Sequence, residues 1–138
     1  MGIFFRAEKF YNIATKEKEY LNDYSLELHS SSHGEGFMKL MKENFMKQGL
    51  YILEEPESAL SPQMQLSLIY EIYKSVNIGS QFIIATHSPI LLGMGKAQIY
   101  NFDETGVNLC DYEDTDSYII TSMFINDRKR LLNYLLEE

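Results

Sequence analysis

Apolar residues fall along this chain in two rhythms, short continuous runs and helical stripes. Ile3-Phe4-Phe5 is a brief apolar run that predicts a strand. Arg6 to Leu21 follows with Phe10, Ile13, Ala14 and Tyr20 at helical spacing, and its tail, Lys16-Glu17-Lys18-Glu19, reads as a solvated helical face. Asn22 to Ser32 is polar and predicts a loop. From Gly34 a second helical pattern begins, with Phe37, Leu40, Met41 and Phe45 recurring as a core stripe.

Leu50-Tyr51-Ile52-Leu53 is a continuous apolar run ending in Glu54-Glu55-Pro56, the pattern of a buried parallel strand that delivers acids at its carboxyl end. Pro62 is placed for the first turn of a helix over Gln63 to Val76, with Leu66, Ile69, Tyr70 and Tyr73 as its apolar stripe. Asn77 to Gly79 breaks it. Gln81 to Thr86 is a second buried strand, followed by His87 and Ser88. The order strand, helix, strand predicts a right-handed parallel crossover. After a turn or short helix at Pro89-Ile90-Leu91-Leu92, Ala97 to Phe102 and Val107 to Cys110 predict a hairpin around Asp103-Glu104-Thr105-Gly106. The end of the chain is acidic from Asp111 to Asp116, then helical from Tyr118, with a break near Asn126-Asp127 before Arg128 to Leu136.

Composition narrows the class. With 138 residues, 45% of them hydrophobic and 23% charged, the chain is long enough for one folded domain. A globular chain of this size buries roughly 68–70% of its unfolded surface. A net charge of −8 argues against a duplex-binding face built from this chain alone, since phosphate neutralisation needs clustered Lys and Arg. The single cysteine, Cys110, makes no internal disulfide, and the first residues lack the pattern of a secretion signal, so the expected setting is the cytoplasm. No apolar run approaches the ~20 residues of a membrane span.

Three places carry candidate chemistry. Adjacent acids at a strand end, Glu54 and Glu55, suit nucleotide hydrolysis, where one carboxylate serves Mg²⁺ and the other orients water. The plain alternative is a strand that ends in a solvated acidic turn. Ser32-His33-Gly34-Glu35 precedes a helix, where backbone N–H groups can hold an anion. Ser32 and Glu35 also have the spacing of a capping box, an ordinary helix start. His87 follows the second strand, which brings an imidazole to the sheet end that carries the acids; a satisfied structural histidine is the alternative. The acidic run Asp111 to Asp116 lacks the glycine and final glutamate of a calcium-binding EF-hand loop and reads as solvated.

In order and spacing these elements resemble the AAA-annotated ABC-type ATPases, especially the soluble SMC-like branch related to RecF and the chromosome-maintenance proteins. The resemblance covers Leu28 to Leu92, and implies an α/β fold: a partial P-loop NTPase, with parallel strands, crossover helices, a C-terminal hairpin and terminal helices. It implies one domain over 1–138, with a motif-bearing core at 28–92 and the hairpin and helices at 97–138. By the resemblance, Ser32, Gly34 and Glu35 belong to a signature loop that binds nucleotide held by an opposite protomer. Glu54 falls at the metal position of Walker B and Glu55 on the catalytic glutamate. Ser58-Ala59-Leu60 matches the D-loop at the dimer interface, and His87 the γ-phosphate histidine of the H-loop. Mg²⁺ and ATP are the implied ligands. Two residues depart from the pattern: Glu54 replaces an aspartate, and His33 replaces a glycine.

No stretch reads G-x-x-x-x-G-K-[S/T], the phosphate-binding P-loop. At the only Gly-Lys pair, Gly95-Lys96, Ile90 stands at the required first glycine and Ala97 at the metal ligand. Losing one preorganised donor to a developing oxyanion costs about 10²–10³ in rate, so the chain is expected to show only background hydrolysis alone. The family's P-loop strand lies beside the H-loop strand, so the edge of Gln81 to Thr86 is expected to be open, or filled by Ile3 to Phe5 or Ala97 to Phe102. The expected partner is a second copy or a P-loop-bearing half, with which the chain would form an ATPase. A silent ABC-like interaction module is the alternative function, and an acidic α/β protein with coincidental motifs the third.

Overall fold

Gly2–Arg6 forms β1, which runs parallel to Leu50–Glu54, β2, with Ile3 opposite Tyr51 and Arg6 opposite Glu54. The structure, a computed structural model, describes residues 2–6 and 33–137. It divides into two units, Met1–Thr86 and His87–Glu138. The expected strand Ile3 to Phe5 is thus present and includes Arg6, which the sequence assigns to the following helix. The rest of that helix and the loop to Ser32 lie outside the described residues.

In the first unit, α1 (His33–Phe45) leads into β2, a 3-10 turn (Pro56–Ala59) and α2 (Pro62–Asn77), which returns to β3 (Gln81–Ala85). The three strands are parallel in the order β1-β2-β3. Alternation along β2 buries Tyr51 and Leu53, and the core of the unit also holds Phe37, Met41 and Phe45 of α1 and Leu68 and Ile72 of α2. The rings of Phe45, Tyr51 and Phe82 pack with centroids 4.8–4.9 Å apart. Burying Tyr51 also requires a partner for its hydroxyl, which lies 2.5 Å from the carbonyl oxygens of Asn44 and Lys47 at the end of α1. Ser61 caps α2 by accepting the amide of Met64, and Pro62 occupies the first turn.

The buried face of α2 differs from the expected stripe. Gln65, Leu68, Ile72 and Ser75 point inward, whereas Leu66 is 60% exposed, Tyr70 64% and Tyr73 37%. Two polar residues disguise the true face. Gln65 donates its amide to the Leu60 carbonyl, and the Ser75 hydroxyl bonds to that of Ser80 at 2.8 Å, so both are buried with their polar groups satisfied.

β3 corrects a second expectation. It is not buried on both faces: Gln81, Ile83 and Ala85 are exposed, and Phe82 and Ile84 are half-buried. It is last in the sheet order, and among the described residues no strand pairs with its other side. Neither expected substitute stands there, since β1 pairs with β2 and the strand near residue 100 belongs to a separate hairpin.

The second unit begins with α3 (Pro89–Leu92), capped by Ser88. β4 (Ile99–Asp103) and β5 (Gly106–Cys110) form the antiparallel hairpin, with Asp103 opposite Gly106 across the turn. A 3-10 turn at Tyr112–Asp114 leads to α4 (Asp116–Asn126) and α5 (Arg128–Leu136). Helix α4 starts two residues before the expected Tyr118 because Thr115 caps it, accepting the amide of Tyr118. The break at Asn126-Asp127 is as expected: Asp127 leaves helical dihedrals and caps α5 through the amide of Arg130. Among the described residues no helix is long and apolar enough to cross a membrane.

Candidate functional site

Parallel pairing puts the carboxyl ends of β2 and β3 side by side, with Glu54 opposite Ala85. Glu55 stands one residue beyond, and its amide donates to the Ala85 carbonyl at 2.8 Å, extending the ladder past the strand. Its backbone is left-handed, φ 45 and ψ 51. A side chain with a Cβ disfavours that region at a cost of about 1–3 kcal/mol, and the conformation persists only where the surroundings enforce it. Here they do: the amide and the hydroxyl of Ser58 both donate to the Glu55 carbonyl, at 3.1 and 2.9 Å, closing the turn that follows. Glu54 is half-buried and Glu55 exposed. Two carboxylates in sequence are therefore presented in different surroundings at one sheet end.

The turn Pro56–Ala59 holds Ser58 and Ala59, and Leu60 follows it. Ser58 is exposed, Ala59 half-buried and Leu60 buried. The start of α1 lies against this turn. A β-carbon built on Gly34 would stand 2.7 Å from both the Ala59 carbonyl oxygen and the Met64 sulfur. Only glycine fits there, so Gly34 belongs to the same cluster as Ala59, and Glu35 follows on the exposed side of the helix. Ser32, and with it the choice between anion loop and capping box, lies outside the described residues.

His87 is described within the second unit. It is exposed, it lies two residues past the end of β3 along the chain, and its carbonyl accepts the Ser117 hydroxyl at 2.7 Å. Ser88 is buried and accepts the amides of Ile90 and Leu91, each at 3.2 Å. The hydroxyl of Tyr112 donates to the Pro89 carbonyl at 2.5 Å. Burial, then the neighbouring Tyr118 and Glu113, hold the Tyr112 hydroxyl above its ordinary pKa, so it stays a donor. Tyr112 and Ser117 were not legible as site residues, because their partners are 23 and 30 positions away. The only sequence signal near them is the cap Thr115 before a helix.

Among the described residues no group of three or more His, Cys, Asp or Glu stands close enough to hold a metal. A cation at the end of β2 would thus draw on one or two carboxylates, Glu54 and Glu55. That donor set fits Mg²⁺, which binds through one or two carboxylates together with water and substrate phosphates. Around Cys110, burial, then Asp114, Asp111 and Asp116, raise the thiol's pKa, which disfavours the reactive thiolate.

Parallel strands with acids at their carboxyl ends are an arrangement of nucleotide-binding α/β proteins. The family model described as "AAA domain, putative AbiEii toxin, Type IV TA system" matches residues 24–93. The chain belongs to this AAA-domain family, and so carries a nucleotide-binding, ATPase-like domain. No curated protein and no solved structure matches it significantly. The matched segment runs through α1, β2, the acidic strand end, α2, β3 and α3.

Proposed function

We propose that this chain supplies the signature, Walker B, D-loop and H-loop elements of a composite MgATP site, and that a P-loop-bearing half completes it. Glu55 orients or activates the attacking water, Glu54 supports Mg²⁺, and His87 contacts the γ-phosphate. The loop of Ser32, Gly34 and Glu35 reaches nucleotide held by the opposite protomer, and Ser58-Ala59-Leu60 lines the junction between protomers. The reaction is in-line attack of water on ATP to give ADP and phosphate, for which catalysis is mainly positioning and charge stabilisation.

The observation that carries the reading is Glu55 itself. An exposed glutamate in a left-handed backbone, tied at its amide to the end of β3 and at its carbonyl to Ser58, is a costly way to make a turn. It is an economical way to fix a carboxylate at a ligand-binding sheet end. The test is reconstitution with the P-loop-bearing half of another ABC-type ATPase. The expected result is Mg²⁺-dependent hydrolysis that Glu55→Gln abolishes, with only background hydrolysis by this chain alone. Hydrolysis indifferent to Glu55→Gln would overturn the reading.

The second reading, a silent interaction module, is favoured by Glu54 in place of the usual aspartate. It predicts association with the same half, modulated by nucleotide, and no turnover.

A further inference from the structure

The loop that carries His87 has little structure of its own. Helix α3 has four residues, too few to hold its own shape, because helix formation must first overcome an unfavourable nucleation step. What fixes the loop is visible in its carbonyls. That of Ser88 accepts the Leu92 amide at 2.9 Å, a bond within the short helix. The two on either side are taken by hydroxyls from far along the chain, His87 by Ser117 and Pro89 by Tyr112.

Both donors are themselves held. A β-carbon on Gly93 would stand 3.2 Å from the Cζ and Oη atoms of Tyr112, a tight contact, so the ring lies close against the Gly93 backbone. The ring also meets that of Tyr118, centroids 4.9 Å apart. Thr115, buried, donates its hydroxyl to the Tyr112 carbonyl at 2.7 Å and accepts the Tyr118 amide, joining the 3-10 turn to the first turn of α4, where Ser117 sits. Residues 112–117 thus form one rigid piece that grips the loop at two points.

We propose that Tyr112 and Ser117 are positioning residues for His87, acting through the backbone of the His87–Pro89 loop to fix where the imidazole stands. This rests on the reading of His87 as the γ-phosphate contact. On that reading the segment after the hairpin, acidic and outside every motif, is part of the catalytic apparatus and not a solvated tail. The opposing account is ordinary packing, in which two hydroxyls satisfy two carbonyls and the imidazole is indifferent to them.

The test is carried out on the full chain, isotopically labelled, by NMR. The ring signal of His87 is assigned with His87→Gln, and the other two histidines serve as internal references. In a Tyr112→Phe, Ser117→Ala double variant, the His87 ring signal is expected to shift and broaden while the reference signals hold. Exchange of the Leu92 amide is expected to accelerate about tenfold, the order expected from losing hydrogen bonds of roughly 1 kcal/mol each. Restoring a hydroxyl, with Ser117→Thr beside Tyr112→Phe, is expected to recover part of the change. If the double variant does not fold, Ser117→Ala alone is read in the same way. An unmoved His87 signal with unchanged Leu92 exchange would overturn the proposal. These signals need no ATP and no P-loop half, so a failure of the brace and a failure of the composite-site reading are told apart.

Discussion

Gly34 of α1 packs against Ala59 in the turn after β2, where a β-carbon would come within 2.7 Å of the Ala59 carbonyl oxygen. Backbone cannot step aside as a flexible side chain can. Gly34→Ala is therefore expected to lower stability by about 1–3 kcal/mol, the usual cost of overpacking. The midpoint of urea unfolding measures it. An unchanged midpoint would show that helix and turn are free to separate.

The backbone of Glu55 makes an opposite prediction for folding. Glycine takes a left-handed conformation without steric cost, so Glu55→Gly is expected to stabilise the chain by about 1 kcal/mol. Glu55→Val is expected to destabilise it, because a β-branched residue is least suited to φ 45. Glu55→Gln, which keeps the side-chain shape, leaves stability near that of the parent. Denaturant unfolding of the three variants gives this order or contradicts it.

Ser75 and Ser80 form a buried pair that closes the α2-to-β3 turn, and the Ser80 hydroxyl also accepts the Gly49 amide at 3.3 Å. Ser80→Ala leaves both groups without that partner, at an expected cost of about 1–3 kcal/mol. The Ser75→Ala, Ser80→Ala double variant is expected to lose less than the sum of the two single losses, since the partners share one interaction. A double-mutant cycle in urea checks it.

Tyr112 gives a pH signature. Its folded pKa is raised above the ordinary 10.0, by burial first. The folded state therefore holds the proton more tightly than the unfolded one. The associated stability is fully present below the unfolded value and is lost as pH rises through the folded value. The unfolding temperature is expected to fall above about pH 10, and Tyr112→Phe is expected to flatten part of that fall. Tyr51, raised by burial, and Cys110, raised by burial and then by Asp114, Asp111 and Asp116, contribute in the same direction.

The sequence exposes whatever depends on period and punctuation. Helix α1, the strand ending at Glu54, the hairpin and the break at Asp127 follow from apolar spacing, turn residues and caps. It misleads where polar residues are buried with their bonds made internally. Gln65 and Ser75 sit on the inner face of α2, so the stripe through Leu66 and Tyr70 looks like the core and is not. It is silent on dihedral angles, so the left-handed turn at Glu55 has no signal in Leu53-Glu54-Glu55-Pro56. It is equally silent on long-range hydroxyl donors, which is why Tyr112 and Ser117 emerge only from the folded chain. The clustering of Gly34 with Ala59 likewise has no signal in the sequence, since they lie 25 positions apart.

The conformation of Glu55 also bears on how such a chain would change with its lineage. Either glutamate codon becomes a glycine codon by a single base change, and at this position the replacement is expected to favour folding. A lineage with no use for the carboxylate would meet that substitution often and keep it at no cost. If Glu55→Gly stabilises as expected, a chain that encodes glutamate there keeps it at a cost to its own folding.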